Sequence, residues 1–118
     1  MTTRFSMPCD RGDVVIVRIR FTDGEGTKKR PAVIVSGEDY HESRSDAVMV
    51  ALSTQRAVPY FGDCDLLEWR QAGLPQPTKA KGVIQTIDRS TIETRLGALS
   101  SGDYARVQDS IRGILGLR

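Results

Sequence analysis

The sequence predicts a mainly β protein of the α+β class, in which a small curled sheet or barrel has one helix packed against it. Two observations carry this prediction. Short apolar segments, the clearest with period-two alternation, recur up to residue 87, and one apolar stripe with helical spacing follows near the C-terminus. With 118 residues, of which 39% are apolar, the chain has the size and composition of one globular domain spanning residues 1–118.

The first half of the chain contains three predicted strands. The stretch RGDVVIVRIRFTD alternates, with Val15, Val17 and Ile19 on one face, and predicts the first strand. RPAVIVS predicts the second, with Pro31 at its first residue or at a sheet edge, and AVMVALST predicts the third. The Gly-rich stretch TDGEGTK and the polar stretch GEDYHESRSD (residues 37–46) are interpreted as the loops between them.

The second half is less regular until its last segment. A short helix is possible over residues 65–71, with Gly73 as its stop, and LPQPTKAKG reads as a loop before the strand VIQTI. The stretch DRSTIETRLGALS fits either a helical turn or a strand. Ser100 or Ser101 can then cap a C-terminal helix. Its apolar stripe consists of Tyr104, Val107, Ile111, Ile114 and Leu115.

Charge is unevenly distributed, although the net charge is only +2. Residues 1–36 hold seven Lys/Arg against four Asp/Glu, residues 37–76 hold three against seven, and residues 77–118 hold seven against four. This asymmetry favours an anionic partner. The apolar runs are too short to span a bilayer and the N-terminus lacks a signal-like segment, so we expect a cytoplasmic protein without membrane contact. Two distant cysteines and a single His predict no metal and no cofactor.

The stretch TKKRPAVIVS indicates a candidate anion site. Three cations, Lys28, Lys29 and Arg30, run through Pro31 directly into a predicted strand. An anion site needs positive charge on a rigid support, and the planar guanidinium of Arg30 suits a phosphate. The alternative is a solvated basic turn.

Four segments together resemble a known family: RGDVVIVRIRFTDGEGTKKRPAVIVS, VMVALSTQ, GVIQTIDRSTI and the closing ILGL. In this order and spacing, from Arg11 to Leu117, the sequence is similar to the MazF/PemK toxins of bacterial toxin–antitoxin modules. The resemblance implies an SH3-like small barrel, a homodimer, and metal-independent, sequence-specific cleavage of single-stranded RNA. It also implies a cognate antitoxin, whose acidic disordered tail blocks the RNA groove, and DNA binding by the toxin–antitoxin complex.

The resemblance supplies a candidate catalytic pair, and the chemistry of other residues adds further candidates. By motif the catalytic pair is Arg30 and Ser53, where Ser53 stands in place of the family's Thr and the adjacent Thr54 is an alternative hydroxyl. His41 is a possible general base, because its unperturbed pKa lies near neutrality. The expected RNA contacts are Lys28, Lys29, Gln55, Gln85 and Thr86.

Two other functions remain open for such a sequence. One is a non-enzymatic, CcdB-like toxin that binds DNA gyrase, which a hydrophobic C-terminal end favours. The other is an inactive homologue that retains only antitoxin binding, for which the Ser at position 53 is the support.

Overall fold

The computed structural model describes residues 9–20 and 26–117. Among these residues, six strands form one antiparallel sheet in the order β4-β5-β3-β2-β1-β6. The sheet is barrel-like but not closed, and the C-terminal helix packs on it, so the predicted α+β fold is confirmed. The elements are β1 (Asp13–Arg20), β2 (Thr27–Ile34), α1 (Glu38–Ser43), β3 (Asp46–Ser53), β4 (Cys64–Asp65), β5 (Lys79–Asp88), β6 (Ile92–Ala98) and α2 (Ser101–Leu115).

The central strands are buried on both faces, which explains their nearly continuous apolar sequences. Alternate residues of a strand point to opposite faces, and paired residues of neighbouring strands share a face. On one face Val14, Val33 and Val50 pack with Val107 of α2. On the other face a second core consists of Cys9, Val15, Val17, Ala32, Ile34, Ala47, Met49 and Ile92.

Helix α2 is fixed at both of its ends and through one buried carboxylate. Ser100 is its N-cap, with Oγ accepting from Asp103 N at 3.1 Å, and Gly116 ends it in the left-handed conformation at φ 72°. Asp103 is 2% exposed and accepts from the backbone amides of Leu67 at 3.0 Å and Glu68 at 2.9 Å. Asp103 therefore ties the start of α2 to a turn that lies 35–36 residues earlier.

Four sequence predictions about local structure need correction or completion. The predicted loop over residues 37–46 is wrong, because α1 occupies most of it. The helix expected over residues 65–71 is not formed; the segment consists of β4 and turns, and the Asp103 carboxylate satisfies two of its amides. β5 begins at Lys79, inside the predicted loop LPQPTKAKG. The stretch DRSTIETRLGALS, which fits either a helical turn or a strand, contains one of each: a 3-10 turn at Arg89–Thr91 is followed by β6.

The Gly-rich loop TDGEGTK, predicted before β2, lies mostly outside the described residues. Within the part of the chain that the structure describes, no helix is long and apolar enough to cross a membrane.

Candidate functional site

A cavity of about 550 Å³ opens where β2, β3 and β5 meet. Its apolar wall and polar rim come from ten side chains, and no carboxylate of a described residue is among them. The lining residues are Ile19, Arg30, Pro31, Met49, Ala51, Leu52, Ser53, Thr54, Gln55 and Lys81. An open site with two cations, two hydroxyls and an amide over an apolar surface suits an anionic ligand that also has flat apolar parts.

Strand register explains why Arg30 and Ser53 reach the same cavity. Ala32 pairs with Ala51, so the residues two positions away along each strand, Arg30 and Ser53, share that face. The β2–β3 pairing covers only Ala32–Ile34 on the β2 side. The two strands are therefore unpaired beyond Pro31, and the cavity lies there with Arg30 and Ser53 both lining it.

Arg30 is exposed and is not in an ion pair with any carboxylate of the described residues. Its Nη1 donates to the carbonyl oxygen of Lys29 at 3.4 Å, a long hydrogen bond that leaves most of the guanidinium's donors open. Pro31 follows directly and fixes its own φ, which stiffens the backbone that carries Arg30. The cation therefore stands on a strand, free to bind an anion.

Ser53 is half-buried at the end of β3, and its hydroxyl has one local partner. Its Oγ accepts from the backbone amide of Gln55 at 3.0 Å. That bond uses an oxygen lone pair and leaves the hydroxyl hydrogen available as a donor. Thr54 and Gln55 follow as exposed residues on the rim of the same cavity.

The remaining predicted RNA contacts do not line the cavity. Lys29 Nζ lies 3.0 Å from a carboxylate oxygen of Glu93, and its register partner Arg18 is paired with the same Glu93. This group lies on the sheet face opposite to Arg30. Exposed Gln85 pairs in register with Met49 and shares the cavity's face, whereas Thr86 points to the other face. Lys28 is exposed at the start of β2.

His41 lies in α1, is buried, and is absent from the cavity. Its Nε2 is 2.6 Å from Ser36 Oγ, which also accepts from the backbone amide of Val48 at 2.9 Å. Burial lowers the pKa of His41, and the nearby Arg89, which donates to the carbonyl oxygen of His41 at 3.0 Å, lowers that pKa further. Both effects favour the neutral imidazole, which joins α1 to β3 through Ser36.

Lys81 is the cavity residue that the sequence reasoning missed. The stretch LPQPTKAKG reads as a loop from its sequence, so Lys81 is not predicted to lie on a strand or in the site. The signal was present in the Lys-x-Lys alternation of Lys79 and Lys81 directly before the VIQTI strand. Within the described residues, no group of three or more His, Cys, Asp or Glu side chains is placed to hold a metal ion.

Comparisons with known proteins agree with this fold. The family model described as "PemK-like, MazF-like toxin of type II toxin-antitoxin system" matches residues 10–115. No curated protein matches the sequence.

Three solved structures illustrate the likeness. An endoribonuclease from a Mycobacterial species has a TM-score of 0.75 and 18% identity, covering 97% of both chains. An endoribonuclease in complex with its cognate antitoxin, also Mycobacterial, has a TM-score of 0.71 and 20% identity, covering 94% of this chain and 98% of the other. A MazE-MazF structure from Deinococcus radiodurans has a TM-score of 0.72 and 22% identity, covering 93% and 98%.

Proposed function

The chain belongs to the family of PemK-like, MazF-like toxins of type II toxin-antitoxin systems, and we propose that it is a sequence-specific, metal-independent endoribonuclease that cleaves single-stranded RNA in the cytoplasm. The observation that carries this proposal is the placing of Arg30 and Ser53 in one open cavity with no carboxylate among its described lining residues. Such a cavity attracts a phosphodiester and offers it hydrogen-bond donors.

The reaction would be an internal transfer within the RNA. The 2′-oxygen attacks the neighbouring phosphorus and forms a new P–O bond, while the bond from phosphorus to the 5′-oxygen breaks. Water takes the proton of the 2′-hydroxyl, and the departing 5′-oxygen receives a proton from water, so the transfer needs no other reactant. The products are a 2′,3′-cyclic phosphate and a 5′-hydroxyl.

In this reaction Arg30 would stabilise the negative charge that builds on the nonbridging oxygens. Its planar fork makes paired, charge-assisted hydrogen bonds to such oxygens, and its position on a strand limits reorganisation. Removing a preorganised donor of this kind typically costs about 10²–10³ in rate. Arginine stays protonated in proteins, so Arg30 would stabilise charge as a hydrogen-bond donor and would not act as the base.

The hydroxyl donor would be Ser53, because its Oγ already accepts from Gln55 N and its hydrogen is free to donate to a nonbridging oxygen. Thr54, the next residue on the rim, is the alternative donor. We assign His41 a structural role, because its ring is engaged with Ser36 outside the cavity. Gln55, also on the rim, is suited to hydrogen-bond the edge of an unstacked base.

The same site would be the target of a cognate antitoxin with an acidic, disordered segment. One solved relative is an endoribonuclease in complex with its cognate antitoxin, and another is a MazE-MazF structure. A cavity with unneutralised Arg30 and Lys81 is complementary to carboxylates. Antitoxin binding would therefore compete with RNA.

We also propose that the chain forms a homodimer. Several large apolar side chains are strongly exposed, including Phe61 at 80%, Leu67 at 69% and Leu117 at 57%. Exposed apolar area of this kind is typical of a protein interface. Sedimentation equilibrium over a range of protein concentrations tests the dimer, and a monomer throughout would overturn it.

One cleavage assay tests the proposed nuclease. The purified protein is incubated with mixed-sequence RNA in the presence of EDTA, and the ends of the products are mapped. We expect cuts that leave 5′-hydroxyl ends, and a loss of about 10²–10³ in rate for Arg30→Ala. Arg112→Ala, which removes an exposed cation of α2 that does not line the cavity, is the matched control.

Absence of cutting by the parent protein would overturn the nuclease proposal. Inhibition of DNA gyrase in its place would identify a gyrase-binding toxin. Neither activity would identify a homologue that retains only antitoxin binding.

A further inference from the structure

We propose that Lys81 is a second phosphate-binding cation of this site, which contacts an RNA phosphate next to the one held by Arg30. The inference rests on the proposed function and names a residue that the motif does not provide. Lys81 comes from β5 and Arg30 from β2, on either side of β3 and its Ser53. Paired strands are spaced about 4.8 Å apart, and β2 and β3 are no longer paired at Arg30, so the backbones that carry the two cations are separated by at least roughly 10 Å.

Strand register places Lys81 on the face of the cavity, within a bulge of β5. The β3–β5 register passes from Val50 paired with Ile84 to Leu52 paired with Ala80. Between these two pairs, one residue of β3, Ala51, therefore lies opposite three residues of β5, 81–83. Counted from the Ser53–Lys79 pair or from the Val50–Ile84 pair, Lys81 falls on the face that holds Ser53. Bulges are frequent next to functional sites.

Asp63 determines which of two neighbouring lysines remains available. Lys79, two residues earlier on β5, is buried and its Nζ lies 2.6 Å from Asp63 Oδ2. The side chain of Lys81 has no ion pair or hydrogen bond with a described residue, and Lys81 lines the cavity. The charge of Lys79 is thus paired with Asp63 in the protein interior, whereas the ammonium of Lys81 remains available to a ligand.

The same carboxylate also holds the backbone on the far side of Lys81. Asp63 Oδ1 accepts from the backbone amide of Gly82 at 2.8 Å. Gly82 lies so close to the preceding turn that a Cβ there would come within 2.9 Å of the carbonyl oxygen of Phe61. With Lys79 and Gly82 both bound to Asp63, the backbone at Lys81 is fixed before any ligand arrives, which reduces the entropy lost on binding.

The test measures RNA affinity as a function of salt. The probe is a mixed-sequence single-stranded RNA with 2′-fluoro groups in place of its 2′-hydroxyls, which binds without being cut. For single strands, the logarithm of the binding constant falls with the logarithm of the salt concentration by about 0.7 for each phosphate contact. Lys81→Met should therefore reduce that slope by about 0.7 and weaken binding at ~0.1 M salt by about fivefold.

Two variants accompany Lys81→Met. Lys81→Arg keeps the charge and should restore the parent slope. Arg112→Ala removes one charge outside the cavity and should leave the slope unchanged. Circular dichroism melting of each variant verifies that it is folded. On cleavable RNA, Lys81→Met should raise KM more than it lowers kcat, because the contact is to a phosphate that does not react.

The outcomes separate this inference from the proposed nuclease. If the parent protein cuts RNA while Lys81→Met binds with the parent's slope and affinity, the inference about Lys81 is overturned and the nuclease stands. If the parent does not cut RNA but Lys81→Met lowers the slope, the nuclease is overturned and Lys81 remains a phosphate contact. If the parent does not bind the 2′-fluoro RNA, Lys81 has no phosphate to contact and the inference is overturned.

Discussion

Replacing Asp63 by Asn tests how the turn beside the site is held. Lys79 Nζ lies 2.6 Å from Asp63 Oδ2, and the two side chains are only 6% and 8% exposed. Asp63 also accepts from the amides of Gly82 at 2.8 Å and Tyr60 at 3.2 Å. Burial opposes the charged form of Asp63, but the donors Lys79, Gly82 and Tyr60 outweigh it and hold its pKa below the usual value.

The expected loss of stability follows from this geometry. At an effective dielectric constant of ~20, two unit charges 2.6 Å apart attract by about 6 kcal/mol, and lost hydration offsets part of this. Asp63→Asn removes the negative charge and leaves the ammonium of Lys79 buried without a counterion. Such a change typically lowers the free energy of unfolding by about 3–5 kcal/mol, a large part of the ~5–15 kcal/mol of an ordinary domain.

Urea unfolding followed by circular dichroism measures this loss. Asp65→Asn is the control, because Asp65 lies 4.0 Å from Arg56 and both side chains are exposed, so the expected cost is below about 1 kcal/mol. The double variant Asp63→Asn/Lys79→Met removes both buried charges and should recover much of the loss. The reasoning is refuted if Asp63→Asn costs no more than Asp65→Asn, or if the double variant is less stable than Asp63→Asn.

Three further predictions concern single residues. The folded-state pKa of His41 is lowered, so its contribution to folding stability is present above the unfolded pKa of about 6.5 and is lost as the pH falls below that value. Urea unfolding across that pH should show the free energy of unfolding rising with pH, and His41→Gln should reduce this dependence. Ser53→Ala should slow RNA cleavage by about 10²-fold. Ser53→Thr should keep the rate, because Thr retains the hydroxyl and its β-branch restricts the rotamer. Equal rates for the two variants would exclude a role of the Ser53 hydroxyl in cleavage. Gly73→Ala should destabilise by more than ~2 kcal/mol, since φ is +86° and the new Cβ would lie 2.3 Å from the carbonyl oxygen of Leu96; an unchanged urea midpoint would contradict this.

The parts of the fold that the sequence predicted are those whose burial is apolar and periodic. β1, β3 and α2 follow alternation or a helical stripe, and the structure places them close to the expected bounds. Helix α1 was missed because its anchor is a polar contact between His41 and Ser36, which no apolar pattern reveals. The 65–71 segment was misassigned because its partner, Asp103, is distant in sequence.

The same distinction applies to the site. Arg30 and Ser53 were paired by a family motif, and both line one cavity. Lys81 was not assigned to the site because β5 begins inside a stretch that contains two Pro and one Gly, although the alternation of Lys79 and Lys81 is a local strand signal. Lys29 looked like part of one basic cluster with Arg30, but adjacent strand residues point to opposite faces, and Lys29 pairs with Glu93.

The hydrogen bonds from Leu67 and Glu68 to Asp103 have a consequence for biosynthesis. A ribosome adds α2 after all the strands described above. The amides of Leu67 and Glu68 therefore cannot form these hydrogen bonds until Asp103 has been synthesised. Domains made in this direction complete their distant contacts last. A nascent chain that stops before α2 would expose Val14, Val33 and Val50, which makes the unfinished polypeptide a target for chaperones and proteases.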